Sequence, residues 1–225
     1  MIGSIIDIFE IERIYRKYLL ERDVKFDKLG RPIFQASMFL KSAPDMIVTF
    51  GCRNNPRLVK DPLKTAICFF APDSDLYPRL EKVFDELDEY KRFLAVVTMD
   101  LTFTADMDVE LQHLIVSINQ LFSMILAING IKLIQNTRSG GLNCTYAFTN
   151  VPTGISVASG FLGCSMISEN NLSYISKILF LLPSQIFIYG KHDAVAEAQL
   201  DQFGFTYRSY TDMHRLIKNK EVYYG

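Results

Sequence analysis

"RFLAVVTMDLTFTADMDVELQHLIVSINQLFSMILAINGIKLIQNT", residues 92 to 137, decides the fold. An apolar run, "RFLAVVT", leads through a polar stretch into Leu111, Leu114, Ile115, Ile118, Leu121, Phe122 and Ile125 at helical spacing. Asn129-Gly130 then supplies a left-handed stop before a second apolar run, "IKLIQNT". The connection is too long for a hairpin, so the two strands are predicted to lie parallel with the helix on one face of the sheet. Within the loop, Asp106 is the natural cap of a helix expected over 107–128, and Asp108 and Glu110 suit the dipole of its first turn. Capping does not account for Asp100.

The same alternation extends in both directions. "KTAICFF", "GISVAS", "SQIFIYG" and a weaker "TYRSY" read as further strands, with helices near 76–90, 168–181 and 194–203, the last capped by Asp193. "NCTYAFTN" at 143–150 alternates like an extra strand. Nearer the start, residues 4–22 place Ile8, Ile11, Ile14, Tyr15, Tyr18 and Leu19 on one stripe, which describes a docked amphipathic helix. "DKLGRP" at 27–32 is a turn, and "IFQASMFL" and "DMIVTF", joined by "KSAP", read as a short hairpin. The expected architecture is α/β: a mostly parallel sheet, open or barrel-like, flanked by helices, with an N-terminal helix and β-hairpin. Residues 1–63 form that appendage and 64–225 one compact α/β unit.

At 225 residues and 49% hydrophobic the chain can bury a full core. Its formal net charge of −1, from Lys+Arg 24 against Asp+Glu 25, provides no global field for nucleic acid or a membrane surface. The apolar stretches 111–128 and 172–189 are interrupted by polar residues and Pro183, and the N-terminus has no basic stretch ahead of its apolar residues. Neither a membrane span nor a secretory signal is predicted, and the cytoplasm of a bacterial host is the expected location. Cys52, Cys68, Cys144 and Cys164 are too scattered for a zinc site, and His113, His192 and His214 are equally dispersed. No metal or cofactor is assigned.

In parallel α/β sheets, ligands bind at the carboxyl ends of the strands. The residues just past each predicted strand are Asp73 and Asp75, then Asp100 and Thr102, then Asn136 and Arg138, then Ser159, and finally Tyr189, Lys191, His192 and Asp193. Asp100 and His192 are the candidate catalytic bases, Arg138 and Lys191 the candidate cations for an anionic ligand, and Asn136 and Ser159 hydrogen-bonding groups. In "SGFLGCSM" at 159–166, Gly160 and Gly163 would let backbone amides face a phosphate at a helix start, or simply serve a tight turn. Cys164 lacks an evident His partner. Strand-end loops are polar in any protein, and His192-Asp193 equally suits a helix start. "RIYRKYLLER" in the first helix reads more readily as a solvated face than as an RNA contact, because Glu10, Glu12 and Glu21 balance its cations.

"TFTADM" ahead of a long helix, "NGIKLIQNTR", "YAFTNVPTGISVASGFLGC" and "QIFIYGK", in this order and spacing, resemble the family known as domain of unknown function 4417, found on bacteriophages, plasmids and in their bacterial hosts. The resemblance covers about residues 64–192. Family members carry a Ser-Pro-Asp-Phe-Ser run where this chain has Thr98-Met99-Asp100-Leu101-Thr102, which places Asp100 on the family's acid. They place Trp and acidic residues where this chain has Thr137-Arg138-Ser139-Gly140-Gly141, a departure that bears on any shared activity. The resemblance implies a mobile-element setting rather than a reaction. Two expectations follow: a small anionic, phosphate-bearing ligand held at the strand ends, or a non-catalytic interaction with a host or phage protein through the N-terminal helix, in a counter-defence or assembly role.

Overall fold

In the computed structural model, the structure describes residues 5–104, 106–137, 146–161, 172–213 and 215–217. The elements in chain order are α1 (Ile5–Leu20), β1 (Met46–Thr49), β2 (Thr65–Cys68), α2 (Asp73–Lys82), α3 (Leu87–Lys91), β3 (Ala95–Val97), α4 (Val109–Ile128), β4 (Leu133–Asn136), β5 (Ser156–Phe161), α5 (Ser173–Leu181), β6 (Gln185–Gly190), α6 (Ala194–Gln202) and β7 (Tyr207–Tyr210). The seven strands form one sheet in the order β1-β2-β3-β4-β5-β6-β7, and every pair is parallel.

The sheet curls until it is nearly a barrel. Its inward residues form one apolar cluster that draws on every strand: Ile47, Ala66, Cys68, Ala95, Val97, Ile134, Ala158, Phe187, Tyr189 and Tyr210. The alanines of β2, β3 and β5 leave room for the rings of β6 and β7, so large and small side chains interlock. The edges β1 and β7 meet through side chains: the Tyr210 hydroxyl donates to the Pro44 carbonyl at 2.7 Å, and Thr49 Oγ1 lies 2.8 Å from Met213 Sδ. The alternate residues, Ile67, Val96, Leu133, Val157, Ile186 and Ile188, face outward into the larger cluster beneath the helices.

Helix α4 passes a length-and-composition test for crossing a membrane, yet 78% of its most apolar window is buried within the molecule. It is the central helix of the outer layer, and α1 packs along it. Most of the stripe expected on α1 is buried, though Ile14 is exposed: Tyr15 packs against Phe84 and Phe122, and its hydroxyl donates to the Leu80 carbonyl. Tyr18 packs against Phe84 with ring centroids 4.7 Å apart and planes tilted by 50°. The outer face of α1 pairs Arg13 with Glu10, Arg16 with Glu12 and Lys17 with Glu21.

Four readings need correction. The expected hairpin does not form: residues 36–38 are a 3-10 turn, and β1 pairs with β2 in parallel, so Met46–Thr49 is the first strand of the sheet rather than part of an appendage. In the described part of the expected extra strand, residues 146–148 are a 3-10 turn. The helix expected over 76–90 is two, α2 and α3. The cap of α4 is Asp108, whose carboxylate accepts from the Glu110 and Leu111 amides, and not Asp106, so the helix starts two residues later than the apolar spacing suggests. Asp193 does cap α6, accepting from the Val195 and Ala196 amides.

Candidate functional site

The mouth of the barrel lies at the carboxyl ends of the strands, and its floor is closed by one ring. Phe70, two residues past β2, lies over Gly160 of β5, where a Cβ would sit 2.7 Å from the ring, and stacks on Tyr189 of β6. Gly160 is thus a strand residue whose lack of a side chain admits Phe70. This corrects its reading as part of a phosphate-cradling turn.

Asp100 is 4% exposed at the end of β3 and accepts from Asn136 Nδ2 at 2.6 Å. Asn136 follows Ile134 by two residues on β4 and therefore shares its inward face. The Asn136 amide donates to Thr98 Oγ1 at 2.8 Å, tying the two strand ends together. Asp100 also stands close enough to Cys68 to act on its thiol, which burial pushes well above its ordinary value and the carboxylate raises further.

The other expected residues separate from this pair. Ser159 follows the inward Ala158 by one residue, so it points outward: its Oγ lies 2.6 Å from Thr137 Oγ1 and 3.2 Å from the Tyr174 hydroxyl. The Tyr174 phenol is pushed up to about 12 by burial, against the lowering effect of its bond to Ser159. His192 has its side chain 79% exposed and bonds Glu197 across the start of α6 at 2.8 Å, and Lys191 is exposed. Neither joins Asp100. Arg138, Gly163, Cys144, Cys164 and His214 lie outside the described residues.

A cleft of about 570 Å³ opens at the mouth between the ends of β1 and β2, the first turns of α2 and the segment after β7. Cys68, Phe70 and Met213 line its inner wall, Thr49 and Cys52 its β1 side, and Ser74, Asp75 and Arg79 the α2 side. Arg53 and Phe50 also line it. The guanidiniums of Arg53 and Arg79 both lie over the Phe50 ring, 3.9 and 5.1 Å from its centroid. Arg53 bonds Glu89 at 3.0 Å and Arg79 bonds Glu86, while Glu89 also accepts from Arg92 at 2.7 Å. Each cleft guanidinium thus has a carboxylate partner, Arg92 adds a third cation on Glu89 outside the cleft lining, and Asp75 adds a further carboxylate within it. The α2 start has Pro72 at its cap position with no side-chain bond, so its first amide groups are not capped by a side chain. Asp73 instead accepts from both the amide and the hydroxyl of Thr102, at 3.1 Å each, and holds the β3 loop to α2.

Two further cavities lie outside this cleft, the first of them lined in part by Thr98 and Asn136 of the strand ends. One of about 40 Å³ sits between α4 and the sheet, beneath Asn136, Gln120 and Ser123. One of about 210 Å³ lies on the α1–α4 surface beside Arg16, His113 and Tyr146. Among the described residues no group of three His, Cys, Asp or Glu gathers to hold a metal.

Sequence reasoning missed Arg53 and Arg79. Arg53 follows a segment that reads as a hairpin arm, and once β1 is a parallel strand, residues 50–53 stand at a strand end. Arg79 sits within a helix, where the rule about strand ends does not look. No family model matches the chain, and no curated protein or solved structure matches it.

Proposed function

We propose that the protein binds a small, phosphate-bearing anion in the cleft at the barrel mouth, and does so inside a bacterial cell in the mobile-element setting that the resemblance to domain of unknown function 4417 implies. The observation that carries this reading is the pair of guanidiniums, Arg53 and Arg79, gathered over one ring at the edge of a 570 Å³ cleft. A guanidinium presents five donors; Arg53 spends donors on Glu89 and the Phe50 carbonyl and Arg79 on Glu86, so others remain for a phosphate. Asp100, buried and bonded to Asn136, lies outside the cleft lining and enters this reading only as a charge close to Cys68 of the cleft wall.

The N-terminal helix favours the alternative less, because the aromatic stripe that would meet a partner is spent on α4 and Phe84. An amide-resolved NMR titration with phenyl phosphate tests the proposal. Shifts concentrated in residues 49–53 and 68–79, and lost in the Arg53→Gln, Arg79→Gln double variant, support it. Shifts confined to other surfaces, or unchanged in a double variant that melts like the parent, reject it.

A further inference from the structure

The cleft is not uniformly suited to an anion, and its unevenness describes the rest of the ligand. On α2, Asp75 and Arg79 are four residues apart on one face, so the wall changes from acid to cation over about 6 Å between their Cβ atoms. Asp75 is exposed, and a carboxylate there repels a second anionic group while accepting bonds from hydroxyls or N–H groups. Thr49 and Ser74 add hydroxyls that donate or accept. The same lining has an apolar part in Phe70, Pro72 and Met213, of which Pro72 is exposed and Phe70 almost fully buried. The cleft falls within the roughly 300–1,000 Å³ of sites that hold drug-sized molecules, far more than a bare phosphate fills.

We infer that the ligand is a nucleoside monophosphate: phosphate on Arg53 and Arg79, ribose hydroxyls on Asp75, and the base against the apolar wall of Phe70, Pro72 and Met213. This rests on the anion-binding reading above and narrows it. A flat heterocycle with donor and acceptor edges satisfies the apolar wall and its polar rim together, which an aliphatic phosphate ester does not.

Calorimetric titration of the full chain at fixed salt with AMP, CMP, ribose 5-phosphate, adenosine and inorganic phosphate decides the matter, repeated on Asp75→Asn. At least one nucleotide is expected to bind about tenfold or more tighter than ribose 5-phosphate, adenosine or phosphate, as interactions of a base and a phosphate in one site combine. Asp75→Asn is expected to weaken the nucleotide about tenfold, the scale of a hydrogen bond to a charged group, and to leave phosphate binding undiminished. Ribose 5-phosphate or phosphate binding as tightly as both nucleotides overturns the nucleotide inference and leaves the anion reading standing. Nucleotide binding untouched by Asp75→Asn also overturns it. Absence of binding by every phosphate compound overturns both.

Discussion

The ring of Phe70, just past β2, stacks on the ring of Tyr189 in β6, with centroids 5.8 Å apart and planes 27° from parallel. Four strand spacings separate β2 from β6 in the sheet, about 19 Å if it lay flat. The contact is therefore direct evidence of curvature, and it requires Gly160 between them. Gly160→Ala is expected to cost about 1–3 kcal/mol, the range for overpacking a filled interior, in a urea melt. Combining it with Phe70→Leu should give less than the sum of the two losses, because the clash partner has shrunk. Strictly additive losses would show that the ring does not rest on Gly160.

Helix α4 supplies a second test. Its cap is Asp108, so Asp108→Ala is expected to lower stability by about 0.5–2 kcal/mol, whereas Asp106→Ala should stay within about 0.5 kcal/mol. Equal losses from both variants in chemical denaturation would place the helix start earlier.

Buried Cys68 makes stability depend on alkaline pH. Burial, with Asp100 beside it, raises the thiol above its ordinary 9.0 in the folded chain, so above pH 9 the unfolded chain releases a proton that the folded chain keeps. The contribution is fully present below pH 9 and is lost as pH rises above it, at about 1.4 kcal/mol per pH unit for the one group. Buried Tyr15 and Tyr90, raised by burial above an ordinary 10.0, add to the loss from pH 10. Melting curves between pH 7 and 11 are expected to fall from pH 9 in the parent but only from pH 10 in Cys68→Ala. An identical onset in both would contradict the assignment.

The strand and helix alternation from residue 64 onward was legible because period-two and helical apolar spacing are strong, local signals. The 46–49 strand was misread because it is as short as a hairpin arm, and nothing local says that its partner lies beyond a loop of fifteen residues between Met46–Thr49 and Thr65–Cys68. Asp100 and Asn136 stand at the ends of β3 and β4, as the strand-end rule expects, and bond each other there, outside the lining of the cleft. Ser159 failed by a single residue: the strand-end rule gives height along the barrel but not side, and one step of the pleat turns the hydroxyl toward α5. His192 and Lys191 failed because a chain leaving the end of β6 toward a helix start carries its side chains to solvent. Arg53 and Arg79 reach the mouth through tertiary packing on Phe50, which no spacing encodes.

A crystal structure of the protein soaked with phenyl phosphate tests the central claim most directly, since it reports the position of the phosphate atom by atom. The account predicts phosphate oxygens within hydrogen-bond distance, about 2.7–3.2 Å, of the guanidinium nitrogens of Arg53 or Arg79, in the cleft between β1, β2 and α2. An empty cleft at millimolar phenyl phosphate, or a phosphate ordered only on another surface, would contradict it.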